Sequence, residues 1–193
     1  SGDASFREFY RISKNNKNSI IVISRKEKFK NLILYILVNK ILKQNKIRVP
    51  ILLSENIERN FIEISDLGKN TFLNNIKGKK NIINFYKRLI DLLIKIQKIK
   101  LKKEYVYKNN IIRFKKFSNS ELHKESDLFF DWYLKFTIKK KNIFKLKKIL
   151  KKELNNIYKK LYFKNNCFTH RDFHASNIMM SGKKLSLIDT QDA

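Results

Sequence analysis

The spacing of apolar residues changes character between Ser65 and Gly68, and that change limits the folds open to the chain. Before it, apolar residues fall in short aromatic or β-branched runs bounded by polar residues, at 6–12, 19–24, 51–53 and 61–64. Such runs predict strands. One helix is predicted among them, because Phe29, Leu32, Ile33, Ile36, Leu37 and Ile41 recur on one helical face, and Pro50 stops its continuation. After the change, Ile82, Tyr86, Leu89, Leu93 and Ile96 recur at helical spacing, as do Ile143, Leu146, Leu150, Ile157 and Leu161. A shorter helix is predicted over 128–136. Near the end, 177–180 and 185–188 straddle Ser181-Gly182-Lys183-Lys184, which predicts a hairpin. The expected fold class is therefore α+β: a small antiparallel-sheet lobe over 1–66 and a helical lobe over 67–193.

Composition excludes several classes. The chain has 193 residues, 42% of them hydrophobic and 12% aromatic, enough to bury a core rather than remain disordered. Its formal charge is +27, but of 44 basic residues only eight are arginine, and the charge is spread along the whole length with many Ile and Asn. A nucleic-acid reader would cluster arginines at one surface. The pattern predicts a solvated lysine coat, with weak attraction to polyanions and no specific nucleic-acid partner. No apolar run approaches the roughly 20 residues that a membrane span needs, so no membrane partner is expected. The single cysteine, Cys167, cannot form an internal disulfide, which fits a reducing cytoplasm. The sequence leaves the oligomeric state open.

The chemistry-bearing cluster is His170-x-Asp172-x-x-x-x-Asn177, followed by the hairpin and Ile188-Asp189. Phosphoryl transfer to an alcohol needs a carboxylate that orients a hydroxyl and takes its proton, and Asp172 is that candidate. It also needs hard oxygen ligands for a metal on the phosphates, which Asn177 and Asp189 supply. His170 is expected to brace the loop. His174 has two readings, approaching phosphate or holding the loop. Asp192 reads as a metal-site neighbour or a brace rather than a ligand, and His123 and Cys167 read as ordinary residues.

This arrangement resembles the kinase catalytic loop and metal segment, with two departures. His174 stands where protein kinases carry a lysine, and Ile188-Asp189-Thr190-Gln191-Asp192-Ala193 stands in place of Asp-Phe-Gly. Both departures resemble the aminoglycoside phosphotransferase superfamily of small-molecule kinases. Gly2-Asp3-Ala4-Ser5-Phe6-Arg7 and Asp66-Leu67-Gly68 extend the likeness towards the bacterial cell-wall amino-sugar kinases, which act on the anomeric hydroxyl of N-acetylmuramate and N-acetylglucosamine. The resemblance implies a two-lobed, protein-kinase-like fold that uses ATP and Mg²⁺. It implies that Gly2, Ala4 and Ser5 cover the phosphates and that Glu63, Ile64 and Ser65 form the hinge facing adenine. Arg7 and Arg11 lie either near anionic groups or on a solvated strand face.

The run at 20–23 carries no Lys, and the helix after it carries no acid. The strand-Lys/helix-Glu pair of protein kinases is therefore missing, and Arg25 and Lys26 are candidates for the cation. Phe130-Asp131-Trp132-Tyr133-Leu134 reads first as an aromatic core helix and second as a wall of the sugar pocket. Because the chain starts within one motif and stops just after another, a longer gene product with a more complete helical lobe is expected. Two alternatives remain open: an aminoglycoside, choline or homoserine-type acceptor, and a non-catalytic nucleic-acid-binding protein.

Overall fold

The computed structural model describes residues 7–24, 29–114, 116, 118–138, 140–161 and 167–190. It opens with strands β1 (Arg7–Lys14) and β2 (Lys17–Ser24), helix α1 (Phe29–Gln44), and strands β3 (Leu52–Asn56) and β4 (Phe61–Ser65). The four strands form one antiparallel sheet in the order β1-β2-β4-β3. The β1–β2 connection is a two-residue turn in which Asn15 and Asn16 both take positive φ, 50° and 59°. Asparagine tolerates that conformation better than other side-chain-bearing residues, so the polar run at this point sets the register.

The sheet buries one face against α1. Val22, Ile62 and Ile64 meet Leu32, Tyr35 and Ile36 in one cluster, with Ile20, Leu52, Ile57 and Tyr107 packed around it. Sequence spacing predicts one apolar face for α1. The structure buries the helix on nearly every side from Leu32 to Leu42, including the polar Asn39, with Lys40 as the exposed exception.

Helix α2 (Phe72–Ile76) and helix α3 (Ile83–Gln97) follow, then a small hairpin of β5 (Tyr105–Tyr107) and β6 (Asn110–Ile112). Thr71 caps α2 by accepting from the Asn74 N–H at 3.1 Å. The β5–β6 hairpin carries none of the usual signals, since its turn is Lys108-Asn109 and its strands are three residues long. It docks on β3, with Lys108 paired to Glu55 at 2.5 Å and the Tyr107 hydroxyl bonded to the same carboxylate.

Helix α4 (Asn119–Leu128), a five-residue π-helical stretch (Phe129–Tyr133), α5 (Leu134–Thr137) and α6 (Lys140–Lys160) come next. The predicted helix at 128–136 is thus the end of a longer helical run. The chain closes with a 3₁₀ turn (Ala175–Asn177) and the hairpin of β7 (Ile178–Ser181) and β8 (Lys184–Leu187).

The chain divides into two compact units, residues 1–113 with 167–193, and residues 114–166. Within the second unit, Phe130 and Leu134 are buried. Lys147 pairs with Asp131 at 2.8 Å, Lys151 with Asp127 at 2.5 Å, and both ammonium groups lie over the Phe130 ring. Trp132, Tyr133 and Phe136 stay exposed, so the aromatic segment is only partly the core helix expected of it. Among the described residues no helix is long and apolar enough to cross a membrane.

Ile62 is fully buried between α1 and the sheet. Ile62→Ala removes its apolar surface and leaves a cavity, so a loss of roughly 2–5 kcal/mol in unfolding free energy is expected by urea denaturation. Truncating Val106, which is exposed on β5, should change stability by less than about 0.5 kcal/mol.

Candidate active site

The candidate loop, His170 to Asn177, is built from its buried end outwards. His170 is almost fully buried, and its Nε2 lies 3.2 Å from the carbonyl of Ile188. Burial pushes its pKa below the ordinary value of 6.5, while the Ile188 carbonyl and the charges of Asp189 and Asp172 oppose the shift. A neutral ring donating from Nε2 to Ile188 therefore ties the loop to the segment after β8. Arg171 then takes φ 65°, turning the chain so that Asp172 reaches the surface.

Asp172, His174 and Asn177 form one hydrogen-bonded set. Asn177 Nδ2 donates to Asp172 Oδ2 at 2.9 Å and lies 3.2 Å from the Asp172 carbonyl. His174 Nε2 sits 3.1 Å from Asp172 Oδ1 and 3.2 Å from Asn177 Nδ2. The backbone repeats the pattern, with His174 N–H on the Asp172 carbonyl and Asn177 N–H on the His174 carbonyl. Of the two readings of His174, the geometry supplies the loop-holding one. About half of the Asp172 side chain remains open to solvent.

The hairpin brings the second carboxylate to this loop. Its register pairs Ile178 with Leu187, and the Ile188 N–H bonds to the Asn177 carbonyl at 3.0 Å, so Asp189 emerges beside the loop. The hairpin is itself anchored: Met180 N–H bonds to Asn70 O and Leu187 N–H to Arg48 O, each at 2.8 Å.

Asn177 turns its amide nitrogen to Asp172 and His174, which leaves Oδ1 as its donor oxygen towards a cation. Among the described residues no group of three or more His, Cys, Asp or Glu side chains is arranged to hold a metal. An amide oxygen and one carboxylate fit a hard cation that draws its other ligands from phosphate and water, which is how Mg²⁺ binds on nucleotides. They do not fit a metal caged by protein alone.

Both arginines of β1 reach carboxylates. Arg7 is buried and lies 3.4 Å from Asp189 Oδ1. Arg11 holds Asp66 in a fork at 2.6 and 3.0 Å and donates to the Gly68 carbonyl at 2.9 Å. Arg11 holds the Asp66 carboxyl below the usual carboxylate range. Gly68 takes φ 88°, a conformation that glycine adopts without strain.

Glu63, Ile64 and Ser65 lie on β4, with Glu63 and Ile64 paired to both β2 and β3. Glu63 accepts from the hydroxyls of Ser19 and Ser54, and Ser65 exchanges hydrogen bonds with Ile51. Backbone outside the sheet begins at Asp66. Gly2, Ala4 and Ser5 lie outside the described residues, as do Arg25, Lys26 and Asp192.

Sequence reasoning missed one buried contact, the hydroxyl of Thr190 donating to Asn39 Oδ1 at 2.6 Å. The only available signal was a lone Asn inside an apolar helical run.

With this geometry in place, comparison with known proteins is specific about the family. Residues 1–193 match the phosphotransferase enzyme family, and the chain belongs to it. The N-acetylmuramate/N-acetylglucosamine kinase of Pseudomonas aeruginosa is 25% identical over 197 residues, covering 100% of this chain and 54% of that protein. The kinase of the same name from Neisseria meningitidis is 21% identical, covering 99% of this chain and 55% of that protein. The chain thus spans about half the length of these relatives. Among solved structures, the streptomycin–ATP–APH(2″)-IIa ternary complex aligns with a TM-score of 0.60 at 15% identity, over 96% of this chain and 66% of that one. ADP-bound aminoglycoside phosphotransferase APH(2″)-Ib aligns with a TM-score of 0.59 at 13% identity, over 98% and 67%. These two likenesses show the fold: α+β and protein-kinase-like, as the sequence motifs imply.

The lowered pKa of His170 has a consequence for stability. The unfolded chain takes up a proton near pH 6.5 that the folded chain resists, so stability is full above that value and falls as pH drops below it. Thermal melts from pH 8 to pH 5 should show this decline, and His170→Asn, which cannot titrate, should flatten it.

Proposed function

We propose that this chain carries the phosphoryl-transfer site of an ATP- and Mg²⁺-dependent small-molecule kinase. The acceptor we propose is the anomeric hydroxyl of N-acetylmuramate or N-acetylglucosamine, in peptidoglycan recycling. The observation that carries the reading is the half-exposed Asp172 carboxylate, held at one oxygen by Asn177 and at the other by His174.

Each carboxylate oxygen has two acceptor positions, so both oxygens keep one for a substrate hydroxyl. In this reading Asp172 orients that hydroxyl and takes its proton as the oxygen attacks the terminal phosphate of ATP, whose bond to the bridging oxygen breaks to release ADP. Asn177 and His174 keep the carboxylate aimed, and His170 keeps the loop against the segment that carries Asp189. Bound Mg²⁺ would neutralise the phosphate oxygens, with Asn177 and Asp189 as its protein ligands.

Residues 1–66 serve as the nucleotide lobe and 67–193 as the catalytic lobe. Gly2, Ala4 and Ser5 cover the phosphates. The adenine-facing backbone we propose lies where Glu63-Ile64-Ser65 of β4 runs out of the sheet into the Asp66–Gly68 segment that Arg11 holds. Support for the amino-sugar acceptor comes from the likeness to N-acetylmuramate/N-acetylglucosamine kinases and the Gly-Asp-Ala-Ser start. The +27 charge favours a neutral or anionic acceptor over a cationic one. The proposed compartment is the cytoplasm, where ATP is at hand.

Asp172→Asn tests the assignment. Turnover should fall by about 10²–10⁴-fold, because the base acts on the chemical step, while nucleotide affinity stays within about twofold. Phosphate transfer from labelled ATP is measured over N-acetylmuramate, N-acetylglucosamine, an aminoglycoside, choline and homoserine. Transfer only to a cationic acceptor would replace the amino-sugar reading, and unchanged turnover in the variant would remove Asp172 from the chemistry.

A further inference from the structure

Three successive residues beyond β8 are each held by a different part of the chain. Ile188 is held by the catalytic loop, through Asn177 and His170. Asp189 faces Arg7 of β1. Thr190, fully buried, donates to Asn39 in the middle of α1. Asn39 is buried as well, one helical turn after the fully enclosed Tyr35.

The residue in the middle of this series has an unusual backbone. Asp189 takes φ 57°, a left-handed conformation that a side-chain-bearing residue holds only when its surroundings fix it. Here the neighbours on both sides are pinned, Ile188 by backbone and ring contacts and Thr190 by Asn39. Freed at Thr190, Asp189 would relax towards ordinary backbone angles, and its carboxylate would lose the direction these tethers give it.

In protein kinases an acid on the helix after the strand lysine pairs with that lysine and holds it on the nucleotide phosphates. Helix α1 contains no acidic residue at all, so it cannot form that pair. What it offers instead, at the position facing the metal segment, is the amide of Asn39.

We propose that Asn39 of α1 is a positioning residue for Asp189. It acts through the hydroxyl of Thr190, so that a buried neutral hydrogen bond ties the helix to the segment that carries the carboxylate. The proposal rests on the reading of Asn177 and Asp189 as metal ligands. Asn39 and Thr190 touch neither metal nor nucleotide in it. They set the direction of the carboxylate that does.

The test is calorimetric titration of the chain with ADP, in the presence and absence of Mg²⁺. Wild type is expected to bind ADP more tightly with Mg²⁺. Thr190→Val keeps the shape and removes the donor. It should reduce that metal-dependent gain by about tenfold, the scale seen when outer partners of metal ligands are removed. Metal-free ADP affinity should stay within about twofold, because the altered group lies away from the nucleotide. Thr190→Ser restores the donor and should restore the gain.

Melting curves accompany each variant. If Thr190→Val does not fold, Thr190→Cys keeps the volume with only a weak donor and should show a partial loss. A folded valine or cysteine variant with an undiminished Mg²⁺ gain overturns the positioning role. So does one that loses metal-free and metal-dependent affinity alike, since that is a purely structural effect. A wild type whose ADP binding ignores Mg²⁺ overturns the metal reading of the site, and this inference with it.

Discussion

Burial of α1 against the four-stranded sheet is the interaction on which the other features depend. The helix gives up nearly its whole circumference between Leu32 and Leu42, with Tyr35 and Ile36 seated on Val22, Ile62 and Ile64. Burying each such aliphatic side chain is worth about 1.5–3 kcal/mol, so a few of them fix where the helix lies. Asn39 and Tyr35 then have fixed positions in the interior, where a polar group must find a partner. Thr190 is that partner, and the segment carrying Asp189 is anchored as a result. The polar geometry of the candidate site is thus inherited from apolar packing.

The site follows a consistent division of labour. The groups that hold are buried or engaged from two sides: His170 on Ile188, Asn39 on Thr190, Arg7 beside Asp189. The groups that would act are half open, Asp172 above all. Rigid support under an exposed carboxylate lets it meet a substrate without first being ordered, which reduces the entropic cost of reaching a reactive geometry. The left-handed backbone at Arg171 and Asp189 belongs to the same division. Each turns the chain sharply where a buried tether gives way to a side chain of the candidate site that is open to solvent at least in part.

Much of this was legible in the sequence because the informative relations are local. Asp172, His174 and Asn177 lie within six residues, so spacing alone brings them together, and the hairpin that returns Asp189 is announced by Gly182. The sheet and α1 were legible because β-branched runs and helical periodicity differ so clearly. The rest was hidden for physical reasons. Lys108-Asn109 forms a two-residue turn without glycine, so β5 and β6 look like loop. The π-helical stretch at Phe129–Tyr133 keeps helical periodicity nearly intact. Arg7 and Asp189 stand 182 positions apart, and Asn39 and Thr190 stand 151 apart. No pattern in a single sequence joins residues so distant. The nucleotide-covering turn at Gly2, Ala4 and Ser5 lies outside the described residues and stays an expectation from motif.

Those two long separations also set an order of events. Synthesis runs from the N-terminus, so the sheet and α1 leave the ribosome first and can pack on each other at once. Residues 114–166, a compact unit of their own, must then be made before the hairpin and its Asp189 exist. Until that point Asp189 and Thr190, which meet Arg7 and Asn39, are still untranslated. The candidate site therefore closes late, and contacts of such high sequence separation fold slowly. A nascent chain that stalled before residue 189 would already hold its apolar core, but not the carboxylate that core is arranged to support.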